Sequence, residues 1–375
     1  MMPSSLFLFA GEASGDLHGA ALIQKMRYLA PTLHIFGVGG PLMRKAGLST
    51  LMPMESFQVM GFIDVFCALP RLICHFYRLR KEILSQKPSI ALFIDYPGFS
   101  LRLERSLHKK GFQGKLVHYI SPSVWAWGKK RIPQMESTLD LLLTIFPFER
   151  KYFSSSFPVV YVGHPLVMKN RTHPSLTWAH DKKVISLFPG SRKKEILRNL
   201  PLQLRVLNTL LLEHPEAIGA ISVSDPSLYA LIASFVHEPH IRLVQSTETQ
   251  ALMQHSFLAI AKSGTVTLEL ALYNIPMVVT YVLSRIDLWI ARDLLRIRLP
   301  FYCIVNIAAE QLIVSELIGP HATYERLLHE ARALFDPCQR MKQQHAYQIL
   351  QERLGTQDAS LHAAQVLLQG VVNFN

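Results

Sequence analysis

Cysteine is scarce in this chain. Only four of 375 residues are cysteine, Cys67, Cys74, Cys303 and Cys338. None forms a CxxC pair, which argues against a zinc site and for a cytosolic chain. Charge is also sparse, at 18% of residues against 49% hydrophobic, and that excludes a disordered chain. Acidic residues are the rarer sign, 27 against 39 basic, leaving a net charge of +12. Such a surface attracts phosphate, on a nucleotide, a nucleic acid or an anionic lipid leaflet. No apolar run approaches the ~20 residues that span a bilayer. The longest candidate, 57–70, is interrupted by Asp64. Residues 1–10 have no basic lead and run straight into a glycine turn, reading as a first core strand rather than a signal peptide. Walker A, GxGxxG, HExxH and GxSxG motifs, paired-carboxylate signatures, internal repeats and low-complexity tracts are all missing. So are RNA-binding aromatic motifs and helix-turn-helix spacing, which weakens the nucleic-acid reading of the charge.

What is present is alternation. Short apolar runs at 6–10, 33–36, 90–94, 116–120, 141–145 and 159–162, then 184–188, 218–223, 241–244, 257–261 and 277–282, are separated by longer helical patterns. Alternation of this kind predicts an α/β chain of parallel sheets covered on both faces. The polar stretch 169–183 divides the runs, predicting two Rossmann-like domains at 1–168 and 169–345 and a helical tail over 346–375. A single eight-stranded barrel is the alternative, but the spacing is less regular than a barrel needs.

Five loops can carry chemistry. Gly11-Glu12-Ala13-Ser14-Gly15-Asp16 follows the first run and opens a helix. Its acids suit sugar hydroxyls better than phosphate, and a structural turn is an equal reading. Asp95 ends the run 90–94, because a carboxylate is costly inside an apolar strand. There it can accept a proton from an attacking hydroxyl or cap the next turn. Ser121, Ser123, Trp125 and Trp127 precede Lys129, Lys130 and Arg131, a loop able to hold a sugar face and a phosphate or to lid the core. Gly190, Ser191 and Arg192 lie where a strand meets a helix, a natural anion site. Ser263, Gly264 and Thr265 repeat that arrangement, with Glu269 one turn in to reach ribose hydroxyls.

Two basic segments could face a membrane. In 60–81, Val65, Phe66, Leu69, Leu72, Ile73 and Phe76 share a helical arc opposite Arg71, His75 and Arg78, with Phe62 ahead of them. Pro70 predicts a kink or break, and an ordinary packing helix is the competing reading. Trp289, Leu294 and Leu295 stand among arginines in 285–298.

Assembled, these blocks resemble the lipid-A-disaccharide synthase family. GEASGD (11–16), GVGGPLM (37–43), MGFIDV (60–65), IDYPGF (94–99), HYISPSVWAW (118–127), FPFE (146–149), VGHPL (162–166), FPGSRKKEI (188–196), KSGTVTLEL (262–270) and IPMVV (275–279) fall in family order. The resemblance implies a GT-B fold with its cleft between the domains. It also implies inverting transfer of 2,3-diacylglucosamine from a UDP conjugate to 2,3-diacylglucosamine 1-phosphate, with no metal and no cofactor. Asp95 matches the family's base. Gly190, Ser191, Arg192, Ser263, Gly264, Thr265, Glu269 and Asn306 match the UDP side; Glu12, Ser14, Gly15, Asp16, Ser121, Ser123 and Trp125 would serve the acceptor. The helix from Phe62 to Phe76 would dock on the inner leaflet, making the enzyme cytoplasmic and peripheral, with no nucleic-acid partner. The family further suggests a homodimer with exchanged C-terminal segments. Two departures stand out: Gly98 replaces a common second Asp, and Val314-Ser315-Glu316-Leu317-Ile318-Gly319 lacks the usual Pro and Gln. Another GT-B enzyme, a cell-wall UDP-N-acetylglucosamine transferase or UDP-sugar epimerase, is the rival enzymatic reading. A non-catalytic basic membrane-binding protein is the non-enzymatic one.

Overall fold

The computed structural model describes residues 5–57, 62–126, 128–167, 176–289 and 299–373. The chain divides into two compact units, 1–168 with 354–375, and 169–353.

The first unit carries β1 (Ser5–Ala10), α1 (Ala13–Leu29), β2 (His34–Gly39), α2 (Pro41–Lys45), β3 (Ser49–Pro53), α3 (Phe62–Gln86), β4 (Ile90–Ile94), α4 (Pro97–Lys109), β5 (Lys115–Tyr119), α5 (Ile132–Thr138), β6 (Leu141–Thr144) and β7 (Val159–Tyr161). Its seven strands are all parallel, in the order β3-β2-β1-β4-β5-β6-β7. Period-two alternation splits β1 between two cores. Leu6, Leu8 and Ala10 pack with α1, while Phe7 and Phe9 join Phe36, Phe57, Phe93 and Phe99 on the other face. Each leucine or phenylalanine among them contributes about 1.5–3 kcal/mol on burial. Because both faces are covered, the strands read as continuous apolar runs.

The second unit carries β8 (Lys183–Phe188), α6 (Lys193–Glu213), β9 (Ala217–Ser222), α7 (Tyr229–Ala233), β10 (Ile241–Val244), α8 (Thr249–His255), β11 (Ser256–Lys262), α9 (Thr265–Leu272), β12 (Met277–Tyr281), α10 (Arg285–Trp289), α11 (Ile304–Ala309), β13 (Glu316–Ile318), α12 (Tyr324–Ala333) and α13 (Pro337–Leu354). Its six parallel strands run β10-β9-β8-β11-β12-β13. The last helix, α14 (Ala359–Asn373), packs on α1 of the first unit through Ala363, Ala364, Leu367 and Leu368. Lys25 and Asp358 pair there at 2.8 Å.

In each sheet the strand order reverses once, between β1 and β4 and between β8 and β11. Loops leaving the carboxyl ends of such a strand pair diverge and leave a crevice for ligands. Two strands were not expected from the apolar runs, β3 and β13, and both are sheet edges. A second departure concerns α3, which continues through Pro70 rather than ending there. Pro70 lies exposed, where water can serve the carbonyl that lacks a donor.

Candidate active site

At the first crevice, β4 ends at Ile94 and the backbone turns sharply. Asp95 and Tyr96 both adopt left-handed conformations, φ +50° and +53°, before Pro97 opens α4. On the neighbouring strand end Ile120 has φ +70°. Non-glycine residues in this region cost on the order of 1–3 kcal/mol each, and they collect where function requires them. The turn is held from three sides. The Asp95 amide donates to the Tyr119 carbonyl at 3.0 Å. Ser100 Oγ donates to the Asp95 carbonyl at 2.8 Å. Tyr96 Oη donates to the Phe57 carbonyl at 2.8 Å. Asp95 thus sits half-buried at the carboxyl edge of the sheet, its position set by backbone geometry.

The 11–16 loop leaves β1 beside this turn. A Cβ on Gly11 would lie 2.6 Å from the Tyr96 ring, so only glycine lets the two loops touch. Burial first, then the Glu12 charge, pushes the Tyr96 hydroxyl above its ordinary pKa. Ser14 Oγ donates to Glu12 Oε1 at 3.1 Å. Gly15 is buried, with room for a Cβ only 3.2 Å from that of Ala10.

Asp16, expected on the acceptor side, faces inward. It is 3% exposed, and its two oxygens accept the amides of Gly40 (2.8 Å), Leu42 (3.0 Å) and Met43 (3.0 Å). It caps the start of α2 and braces the loop from within. Ser121 is also buried, donating to the Pro122 carbonyl at 3.1 Å, while Ser123 is exposed. Trp125 packs edge-on against Phe148 at 6.0 Å. Trp127 lies outside the described residues.

On α3 the expected arc divides. Leu72 and Phe76 pack against the aromatic core. Leu69 and Ile73, with Tyr77 one turn on, are 47%, 48% and 56% exposed. The Phe62, Val65 and Phe66 side chains fall outside the described residues, as does most of 285–298.

At the second crevice, the loops after β8 and β11 wall a cavity of about 580 Å³ together with the ends of β9 and β10. Gly190, Ser191, Gly264, Thr265 and Glu269 line it, joined by Glu195, Ser222, Ser224, Ser246, Thr249 and Lys262. Gly190 has φ +126°, and a Cβ there would meet Glu195 at 2.8 Å. Arg192 caps α6 with its side chain 82% exposed. Ser263 turns away, its Oγ 3.4 Å from the Tyr302 carbonyl. Among the lining residues unforeseen in the sequence, Lys262 and Glu195 are the charged ones, bonded to each other at 3.1 Å. Their one signal was a lysine closing an apolar strand, which a buried site tolerates only with a partner.

Asn306, expected on the UDP side, is held by the chain itself. It is fully buried, and its side chain is spent on Ile313 N (2.9 Å), Val314 N (2.9 Å) and the Val314 carbonyl (2.9 Å). Glu316 similarly accepts the Tyr302 and Cys303 amides, at 3.0 and 2.5 Å. Asn306 therefore shapes the 311–316 segment.

Two parallel Rossmann-like sheets, each with its loops gathered at one strand-order reversal, define the GT-B fold class. Solved structures of low identity share it. One is the glycotransferase of kitacinnamycin, with TM-score 0.64 and 12% identity, covering 97% of this chain and 98% of that one. Another is UDP-GlcNAc 2-epimerase from Neisseria meningitidis bound to UDP-GlcNAc, with TM-score 0.61 and 11% identity, covering 97% and 99%. The sequence then narrows the class, for the chain belongs to the lipid-A-disaccharide synthetase family, whose model matches residues 6–369. It is 38% identical to the lipid-A-disaccharide synthase of Chlamydia felis over 364 residues, 94% of this chain and 58% of that protein. It thus spans just over half the length of that relative. It is 34% identical to the lipid-A-disaccharide synthase of Geobacter sulfurreducens over 379 residues, 97% and 96% of the two chains.

Proposed function

We propose that this chain transfers 2,3-diacylglucosamine from its UDP conjugate to 2,3-diacylglucosamine 1-phosphate, forming a β-1,6-linked disaccharide 1-phosphate and UDP. The reading is supported by family membership, and one geometric observation carries its chemistry: Asp95 is presented on a left-handed turn at the first crevice. Asp95 takes the proton of the acceptor 6-hydroxyl as that oxygen attacks the anomeric carbon. The bond from that carbon to the diphosphate breaks on the opposite face, so configuration inverts and UDP leaves with the electron pair. Charge on the departing diphosphate is met by the Gly190–Ser191 amides, Arg192 and the Ser263–Thr265 loop, fixed donors that need little reorganisation. Glu269 holds the ribose. Glu12, Ser14 and the Ser123–Trp125 loop serve the acceptor sugar. The acyl chains stay in the inner leaflet of the cytoplasmic membrane, where Leu69, Ile73 and Tyr77 of α3 dock the enzyme peripherally.

The test is mass-spectrometric detection of the disaccharide phosphate from the two acylated precursors. Asp95→Asn should lower turnover by about 10²–10⁴-fold while UDP still binds. Turnover within about tenfold of wild type would remove Asp95 as the base. Preference for an unacylated UDP-glucosamine donor would reject the substrate and favour a cell-wall transferase or epimerase.

A further inference from the structure

Lys262 closes β11 at the wall of the second crevice, and its side chain is only 16% exposed. An ammonium this deep needs compensation. It has two partners, Glu195 Oε1 at 3.1 Å and the Tyr281 ring with its centroid at 4.7 Å. Glu195 is itself 11% exposed, and its other oxygen accepts the Ser191 amide at 3.2 Å. Arg192 Nη1 stands 3.6 Å from Glu195 Oε1. A Cβ on Gly190 would lie 2.8 Å from both Cβ and Oε2 of Glu195, so glycine is what lets the carboxylate rest against the turn. One carboxylate therefore gathers an amide, an ammonium and a guanidinium at the mouth of a cavity. Those three donor types are the ones that grip a diphosphate at a helix start. A diphosphate placed on the same loop competes with Glu195 for the Ser191 amide, which has one hydrogen to give, and its charge repels the carboxylate that holds the ammonium.

We propose that Lys262 is a ligand of the donor's diphosphate and that Glu195 is its exchange partner. The carboxylate holds the ammonium at the cavity wall and gives it up, together with the Ser191 amide, as the diphosphate binds. This assignment rests on the transferase reading above and extends it to two residues whose pairing has a simpler structural explanation, an ordinary buried ion pair. The two explanations differ in what happens when Glu195 loses its charge. An ordinary pair stabilises the site, so neutralising Glu195 should weaken or leave unchanged the binding of any nucleotide. An exchange partner competes with the ligand, so neutralising it should tighten diphosphate binding.

Calorimetric titration of the full chain with UDP and with uridine reads this. Lys262→Met should weaken UDP about tenfold or more, the loss of a charge-assisted contact, and leave uridine within about twofold. Glu195→Gln keeps an acceptor for the Ser191 amide and should tighten UDP by about threefold to tenfold, again sparing uridine. Lys262→Met alone strands a buried carboxylate, so the Glu195→Gln/Lys262→Met pair serves as the well-compensated variant. It should bind UDP more weakly than Glu195→Gln. Unchanged or weaker UDP binding by Glu195→Gln would overturn the exchange role. Equal losses for UDP and uridine in both Lys262 variants would overturn the ligand role. A wild-type chain that binds UDP no better than uridine would instead remove the donor site itself, a distinct result.

Discussion

The contact between Gly11 and Tyr96 joins the two loops of the first crevice, and its removal can be worked through in numbers. An alanine at position 11 would place its Cβ 2.6 Å from Tyr96 Cδ1, 2.8 Å from Cγ and 3.0 Å from Cε1. Ordinary carbon contacts begin near ~3.5 Å, so the ring must retreat by roughly 1 Å. It has little freedom to do so. Its hydroxyl is bonded to the Phe57 carbonyl at 2.8 Å, and Phe9 and Phe99 stand at 6.2 and 6.5 Å between centroids. Overpacking of this kind costs about 1–3 kcal/mol. For a unit of this size, each kcal/mol lowers the melting temperature by about 2–4 °C. Tyr96 is covalently next to Asp95, so the strain also moves the carboxylate. A misplacement near 1 Å can cost about 10²-fold in rate. Gly11→Ala should therefore lower kcat by about tenfold to a hundredfold, leave UDP affinity unchanged, and destabilise the first unit. The decisive assay is a cycle of thermal melts with Tyr96→Ala. Removing the ring removes the clash, so Gly11→Ala should cost at least about 1 kcal/mol less in that background. An equal cost in both backgrounds would refute the reasoning, placing the penalty in the backbone of the 11–16 loop instead.

Two further outcomes are accessible. Replacing Leu69, Ile73 and Tyr77 together with Ser should cut binding to anionic liposomes without shifting the melting temperature by more than about 2 °C, since all three are exposed; a larger loss of stability would make that row part of the core. Burial pushes the Glu149 carboxyl up to about 8, against the opposing bonds from the Phe146 and Ile145 amides. Between the unfolded value of 4.5 and 8 the native state holds the extra proton, so stability falls as pH rises through that window and levels off above it. Glu149→Gln should flatten the dependence, measured as melting temperature from pH 5 to 9, and an unchanged slope would place the titration elsewhere.

Nine of the strands lie inside a sheet and were legible because a parallel strand covered on both faces is largely apolar, and the edge strands β7 and β10 kept enough apolar residues to be read as well. β4 reads Ile-Ala-Leu-Phe-Ile, and all five residues are buried. β3 and β13 escaped the same test. As edges they are half-covered: Ser49 and Thr50 are exposed, and β13 is three residues long. The α3 arc shows a different limit. Periodicity finds the apolar side of a helix but not the narrower line along which it touches the sheet. Leu72, Phe76, Leu79 and Ile83 follow that line, while Leu69, Ile73 and Tyr77 form the adjacent row and stay outside.

The candidate site was legible only as far as local chemistry reaches. A short polar or glycine turn after an apolar strand marks the carboxyl edge of a sheet, so Asp95, Gly190 and Gly264 could be placed there without coordinates. Which way a polar side chain spends its bonds depends on residues remote in sequence. Asp16 is consumed by amides 24 to 27 positions away. Asn306 and Glu316 hold each other's neighbourhoods together across the turn from α11 to β13. Lys262 meets Glu195 at a separation of 67 residues. Each is a residue type that serves a ligand as readily as a backbone amide, and composition cannot separate the two uses. The bonds made inside the fold show what each one braces: Asp16 and Asn306 hold backbone amides in place. Lys262 differs because its one ionic partner lines the same cavity, so a stronger anion can compete for the ammonium without unfolding what holds it.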